Sequence, residues 1–222
     1  MNDSPAAKPK ARLATWIGLF IALFGLLIVR WAVSFFYPTY SQAGTLWKEP
    51  LNWLCAIVLL VIIRRGEKLP LSSIHLGSPW VTSSIGWGVV LALICFVAGG
   101  IVASLTHFRG GELGVAFAKF PLWLVILIVI RAGFVEELFY RGYAIERLQL
   151  LGLNRFWAAA IPLLVFGFAH GTNGWANIVL ALSLGVVLTL FYLWRRDLVA
   201  NMIGHFLVDF ISVVLPRLIV HR

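Results

Sequence analysis

The sequence predicts an all-α fold, a polytopic transmembrane helical bundle of about seven spans, on three observations. Hydrophobic residues make up 61% of the 222-residue chain and charged residues 12%, whereas a soluble domain carries roughly a quarter of its residues charged. The apolar residues fall in runs of about twenty, the length of helix that crosses a hydrocarbon core. Lysine and arginine gather in short clusters between those runs instead of along one face or tail. That pattern belongs to the loops of a membrane protein and argues against nucleic acid as a partner, despite a net charge of +9. Membrane lipid is the expected solvent for most of the surface.

Taken in order, the polar and basic segment 1–12 reads as a cytoplasmic amino-terminal tail, and 13–222 as a single transmembrane domain. The first span is Leu13–Phe36. Its apolar run is too long for a signal-peptide core and no small-x-small cleavage site follows before Arg30 and Trp31, so an uncleaved helix is expected. The second, Leu51–Ile63, is short, with a start nearer Leu46 as the alternative. Val81–Leu105, Phe120–Gln149, Phe156–His170, Trp175–Trp194 and Leu198–Ile219 complete the set. The fourth exceeds what a bilayer needs, and its second half carries Glu136, Glu137, Arg141, Glu146 and Arg147. Its carboxyl end is therefore expected to project from the membrane. Trp47, Trp80, Trp123, Trp157, Trp175 and Trp194 stand near segment ends, as in an interfacial belt.

Alternating spans put Lys8, Lys10, Arg12, Arg64, Arg65, Lys68, Arg147, Arg155, Arg195 and Arg196 on one side of the membrane. Lys48, Arg109, Lys119 and Arg222 fall on the other. The positive-inside rule then places the amino terminus in the cytoplasm of a cell-membrane protein. Cys55 and Cys95 lie in separate apolar runs without metal-ligand spacing and read as small buried hydrophobes. No internal repeat of the transporter kind is found.

Three of the nine acidic residues, Glu136, Glu137 and Asp209, fall inside apolar segments, as do two of the five histidines, His170 and His205. An ionisable group at membrane depth costs a few kcal/mol, so such groups face a bundle interior and mark function. Interhelical hydrogen bonding is the plainer explanation for any one of them, and a poor one for all five. Glu136 and His170 each lie seventeen residues from Leu153, the middle of the hairpin turn between spans four and five. At a similar depth of about 25 Å they can face each other. His205 and Asp209 are four residues apart on one face of span seven. Glu137 and Arg141 form an i, i+4 pair in the favourable order, which leaves Glu136, about 100° around the helix, available as a general base beside His170. Water held between Glu136 and His170 would be a nucleophile for a peptide carbonyl.

The remaining polar residues have structural readings. His75, His107 and His221 read as solvated surface, and Arg30 and Arg217 as anchors near helix ends. Arg131, five residues before Glu136, suits either tuning of that carboxylate or packing. Asn173 and Asn177 suit the start of span six, where capping is the simpler role and lining the site the alternative. Tyr140, at i+4 from Glu136, is placed to hydrogen-bond it.

Glu136-Glu137-Leu-Phe-Tyr-Arg141 has the form EExxxR, Phe166-Gly-Phe-Ala-His170 the form FxxxH, and His205-Phe-Leu-Val-Asp209 the form Hxxx(N/D). Each is weak alone. In this order on successive hydrophobic segments they resemble the CAAX-protease and bacteriocin-processing (Abi) family of intramembrane endopeptidases, similar to type II CAAX prenyl endopeptidases. The resemblance covers roughly Leu122 to Asp209, within a protease-like core at about 120–220. It implies a glutamate-dependent peptidase in which Glu136 and His170 activate water. His205 and Asp209 would stabilise the oxyanion, with Glu137 and Arg141 in support. Eukaryotic members carry asparagine where this chain has Asp209. An ionised aspartate cannot donate to an oxyanion, so Asp209 is protonated or else orients His205.

The substrate so implied is a membrane-associated peptide or protein, prenylated or leader-bearing. No cofactor is expected, since the chain lacks HExxH. A zinc ion at His170, His205 and Glu136 is the mechanistic rival. Two functions without peptide hydrolysis also fit a polar-cored helical bundle. One is a catalytically inactive immunity or scaffold protein of the same fold, and the second is a proton-relay transporter, which the missing repeats disfavour.

Overall fold

The computed structural model describes residues 9–77 and 81–220. The expectations for the tail 1–8, Trp80, His221 and Arg222 lie outside the described residues. The chain is all-helical, with no strand among the described residues. Helix α1 is Pro9–Ser34, α2 is Gln42–Val61 with a π turn Ile62–Gly66, α3 is Val81–Thr106 and α4 is the short Gly111–Lys119. Helix α5 is one continuous rod of three parts, α-helical Leu122–Arg131, π-helical Ala132–Ile145 and α-helical Glu146–Leu150. Then come α6, Arg155–Ala169, and α7, Trp175–Arg195. Last is α8, Leu198–Asp209, with a π turn Phe210–Val214 and a final α segment Leu215–Val220.

The seven expected spans correspond to α1, α2, α3, α5, α6, α7 and α8. Five of them, all but α5 and α6, are long and apolar enough to cross a membrane by length and composition. Helix α6 has 15 residues, about 22 Å of rise, short of a ~30 Å hydrocarbon core. Helix α5 carries Arg131, Glu136, Glu137 and Arg141 in its middle, and of its π-helical part only Phe134 is exposed. Its charges are solvated by protein. The outside of the bundle is apolar, with Phe20, Leu93, Val97 and Leu190 each more than half exposed. An apolar exterior that encloses the charged groups is what lipid as solvent requires. The chain is a membrane protein.

Two boundary expectations change. Helix α2 starts at Gln42, capped by Ser41, whose hydroxyl accepts from the Gly44 amide at 3.1 Å. The earlier start brings Glu49 into a buried helical position. The carboxyl half of α5, expected to project from the membrane, is covered by protein. Arg147 is only 2% exposed, because the α2–α3 connection folds over it. Its Nε donates to both Glu67 oxygens at 3.1 and 2.9 Å, and its Nη2 donates to Ser73 Oγ at 2.8 Å. Tyr143 donates to the same Glu67 at 2.9 Å. Composition implied water around these charges, but a distant segment supplies the counter-charge instead.

Helix α8 packs against α3 and α5, and small residues permit the close approach. A Cβ on Gly133 of α5 would stand 2.9 Å from both the backbone nitrogen and the Cα of Phe206. Gly88 of α3 is seated as tightly, with the Ala200 carbonyl oxygen 3.1 Å from its virtual Cβ. These contacts bring α5, with the buried Glu136 and Glu137, and α8, with His205 and Asp209, within side-chain reach of each other.

Candidate active site

Glu136 and His170, from α5 and the carboxyl end of α6, line one cavity of about 160 Å³. That is room for several waters. Its other walls are the carboxyl-terminal part of α1, the α1–α2 connection, the first half of α2, α4, the α6–α7 connection and the start of α7, so it lies at one end of the bundle. The equal distances from the hairpin turn are realised as a shared site.

Arg131 donates from Nη1 to Glu136 Oε1 at 2.7 Å, and its Nε lies 3.2 Å from Glu49 Oε2. Arg131 thus bridges two carboxylates from different helices, which decides between its two readings in favour of a direct contact with Glu136. Only one oxygen of Glu136 is engaged by Arg131, and the second is left for other work.

His170 caps the carboxyl end of α6, with Nδ1 2.7 Å from the Phe166 carbonyl oxygen. A carbonyl only accepts, so Nδ1 carries the hydrogen, and a neutral ring keeps its lone pair at Nε2. The neighbouring backbone is pinned from two sides. Asn177 donates to the His170 carbonyl at 3.0 Å, and Arg30 of α1 donates to the Ala169 carbonyl at 2.5 Å.

Glu137 is 0% exposed and receives three donors. Arg141 Nη1 lies at 2.9 Å, Asn201 Nδ2 at 3.1 Å and His205 Nδ1 at 2.8 Å. The expected pair with Arg141 is present, but Glu137 is also the hub that ties α5 to α8. His205 stands between two carboxylates, for its Nε2 is 3.7 Å from Asp209 Oδ2. The Phe166 ring contacts both imidazoles, with centroids 4.7 Å from His170 and 6.2 Å from His205, while Arg141 stacks on it at 4.5 Å. Among the six residues singled out, Glu136 and His170 open on the cavity. His205 and Asp209 are not part of its lining, although His205 lies within electrostatic reach of Glu136. Glu137 and Arg141 are sealed in the core.

Several secondary expectations are corrected. Arg30 anchors as expected, reaching inward to Ala169 and Thr172, because the carboxyl end of α6 presents bare carbonyls beside it. Asn173 does not cap α7. The residue before α7 is Gly174, and Asn173 lines the cavity while its side chain bridges Leu113 N and Gly110 O. Tyr140 makes no hydrogen bond to Glu136 and packs its ring edge-on against Phe166. His75 is only partly exposed, 3.6 Å from Glu146. Arg217 does anchor, through the Phe117 and Phe120 carbonyls.

Composition and spacing missed Glu49, Lys48 and Asn201. Glu49 and Lys48 lay outside the second span as drawn. Asn201 carries no charge, yet its position four residues before His205 set it on the same helical face. Among the described residues no three His, Cys, Asp or Glu side chains are grouped to hold a metal ion. Of the three residues considered for zinc, Glu136 is engaged by Arg131 and His205 by Glu137.

Residues 118–211 match the Rce1-like family, described as type II CAAX prenyl endopeptidase Rce1-like. The matched segment contains all three motifs, so the resemblance drawn from them holds. No curated protein and no solved structure matches the chain.

Proposed function

We propose that this membrane protein, CAAX-protease-like over 118–211, is an intramembrane endopeptidase that uses a Glu/His-activated water and no metal. The observation that carries the reading is the shared cavity of Glu136 and His170, with the tautomer of His170 set by the Phe166 carbonyl. Water in that cavity hydrogen-bonds to the second oxygen of Glu136 and to Nε2 of His170. As its oxygen bonds to the scissile carbonyl carbon, its proton passes to Glu136. The same proton then goes to the departing amide nitrogen as the C–N bond breaks. Arg131 keeps Glu136 oriented throughout. His205, held by Glu137 at Nδ1 with Asp209 beside its Nε2, stabilises the oxyanion through its charge when doubly protonated.

The substrate is a peptide segment delivered from the membrane, with a prenylated carboxyl terminus and a leader-bearing precursor as the two forms that fit the family description. Mass spectrometry of membrane peptides from cells carrying wild-type or Glu136→Ala protein identifies it. With that substrate, Glu136→Ala and His170→Ala each lower cleavage by about 10²–10⁴-fold. Wild-type activity in Glu136→Ala would remove the assignment, and a cellular phenotype that survives Glu136→Gln would favour a scaffold. Chelator treatment leaves the activity unchanged; loss with chelator and return with zinc would overturn the metal-free mechanism.

A further inference from the structure

Glu49 is a carboxylate that the three motifs leave unexplained. It lies outside the matched segment 118–211, on α2, and is only 8% exposed. Its Oε1 accepts from Arg131 Nε at 3.3 Å, and its Oε2 stands 3.2 Å from the same nitrogen. Glu136 already neutralises Arg131 through Nη1 at 2.7 Å, so a second carboxylate is not needed to balance that cation. An ionisable group buried at membrane depth is costly, and such groups mark function. The start of α2 holds Glu49 in register. Thr45 Oγ1 donates to the Ser41 carbonyl at 2.9 Å and Lys48 Nζ to the Thr39 carbonyl at 2.7 Å, beside the Ser41 cap. Arg131 and Glu136 are placed with equal definition. In an α-helix residues five apart point about 140° away from each other, and the change to π-helix at Ala132 brings Glu136 round to the side of Arg131.

We propose that Glu49 is a positioning residue: by holding Arg131 at Nε it stops the guanidinium from forking onto Glu136, and so keeps the second oxygen of Glu136 open to the cavity. A guanidinium that meets a single carboxylate settles into the bidentate fork, with one N–H on each oxygen. In that fork both oxygens of Glu136 would be occupied, and neither would be left to take a proton from water. With Nε on Glu49, Arg131 touches Glu136 at Oε1 alone, and turning into the fork would forfeit the Glu49 contact. This role presupposes the peptidase reading and extends the working groups from the motif-bearing helices to α2. Glu49 itself exchanges no proton with the substrate. It acts only through Arg131, so its loss is relieved by removing Arg131 as well.

A suppressor series tests it, with kcat and KM measured in detergent on a synthetic copy of the peptide that differs between wild-type and Glu136→Ala cells. Glu49→Met keeps the length of the side chain and frees Arg131 to fork, so kcat falls by about 10²-fold while KM changes by no more than about threefold. Glu49→Gln keeps an acceptor for Nε and loses about tenfold. Glu49→Met combined with Arg131→Gln regains about tenfold over Glu49→Met alone, because the competing cation is gone. Should Glu49→Met aggregate on size-exclusion chromatography, Glu49→Leu carries the same comparison. A Glu49 that served the fold alone gives no such recovery, since a second substitution at a buried contact only adds to the damage. Wild-type kcat in Glu49→Met, or a double variant no faster than Glu49→Met, would overturn the proposal. Failure of the peptidase reading looks different: Glu136→Gln then cleaves as well as wild type, or wild-type and Glu136→Ala cells hold the same membrane peptides, and the positioning role goes with it.

Discussion

Glu136 and Glu137 are neighbours in sequence with opposite physical fates. Glu136 has one oxygen on Arg131 and a cavity beside it, whereas Glu137 is fully enclosed and saturated by Arg141, Asn201 and His205. Removing one member of a buried charge network leaves its partners uncompensated and costs about 3–5 kcal/mol. Glu137→Leu should therefore destabilise the protein by about that amount, measured by unfolding in detergent. Glu136→Gln keeps the shape of the side chain and leaves Arg131 paired with Glu49, so its loss of stability should be small while its cleavage is lost. If the two substitutions were equally destabilising, the division between hub and working carboxylate would fail. The same reasoning applies at Arg147, whose replacement by methionine strands Glu67 and Tyr143 in the core. Glu67→Gln combined with Arg147→Met should recover part of the stability lost in Arg147→Met alone, which a double-mutant cycle reads directly.

At the scale of the helix, α5 explains why the site exists at all. A segment with four charged residues in its middle is tolerated in the bundle because they pair within the helix, Arg131 with Glu136 and Arg141 with Glu137, and because Glu49, Asn201 and His205 of neighbouring helices complete the network. Its approach to α8 depends on Gly133, whose missing side chain lets the backbone of Phe206 come close. Gly133→Val should cost about 1–3 kcal/mol by overpacking and should also disturb His205, one residue before Phe206. Gly100 of α3 has nothing within 4 Å of a virtual Cβ, so Gly100→Val should be neutral. Thermal unfolding of the two variants side by side checks the contrast, and equal effects would mean that the α5–α8 contact is not limiting.

For the whole molecule, the cavity lies at the end of the bundle that bears Thr39, Tyr40, Leu113 and Asn173. The clusters Arg64, Arg65, Arg195 and Arg196 lie at the opposite helix ends. We propose from the positive-inside rule that this second end and the amino terminus are cytoplasmic. Single-cysteine reporters at the exposed positions Arg65 and Arg109 test it, in a background without Cys55 and Cys95. A membrane-impermeant maleimide added to intact cells should label Arg109→Cys and spare Arg65→Cys, and the reverse pattern would invert the topology.

How much could be read from the chain follows from the range of each interaction. Lipid forces every backbone polar group to be satisfied within its own segment, so long apolar runs must be helices, and their number and order can be counted from composition. Spacing along one helix is equally local. The Glu137–Arg141 pair, the common face of His205 and Asp209, and the matched depths of Glu136 and His170 around a tight hairpin were therefore legible beforehand. Which helix faces meet is set by small-residue contacts such as Gly133 against Phe206 and by connections that fold back over the bundle. Only the tertiary structure could bring Glu49 and Lys48 from the second helix and Arg30 from the first to the glutamate of the fifth. Those charges are separated by eighty or more residues of chain, and no periodicity connects them.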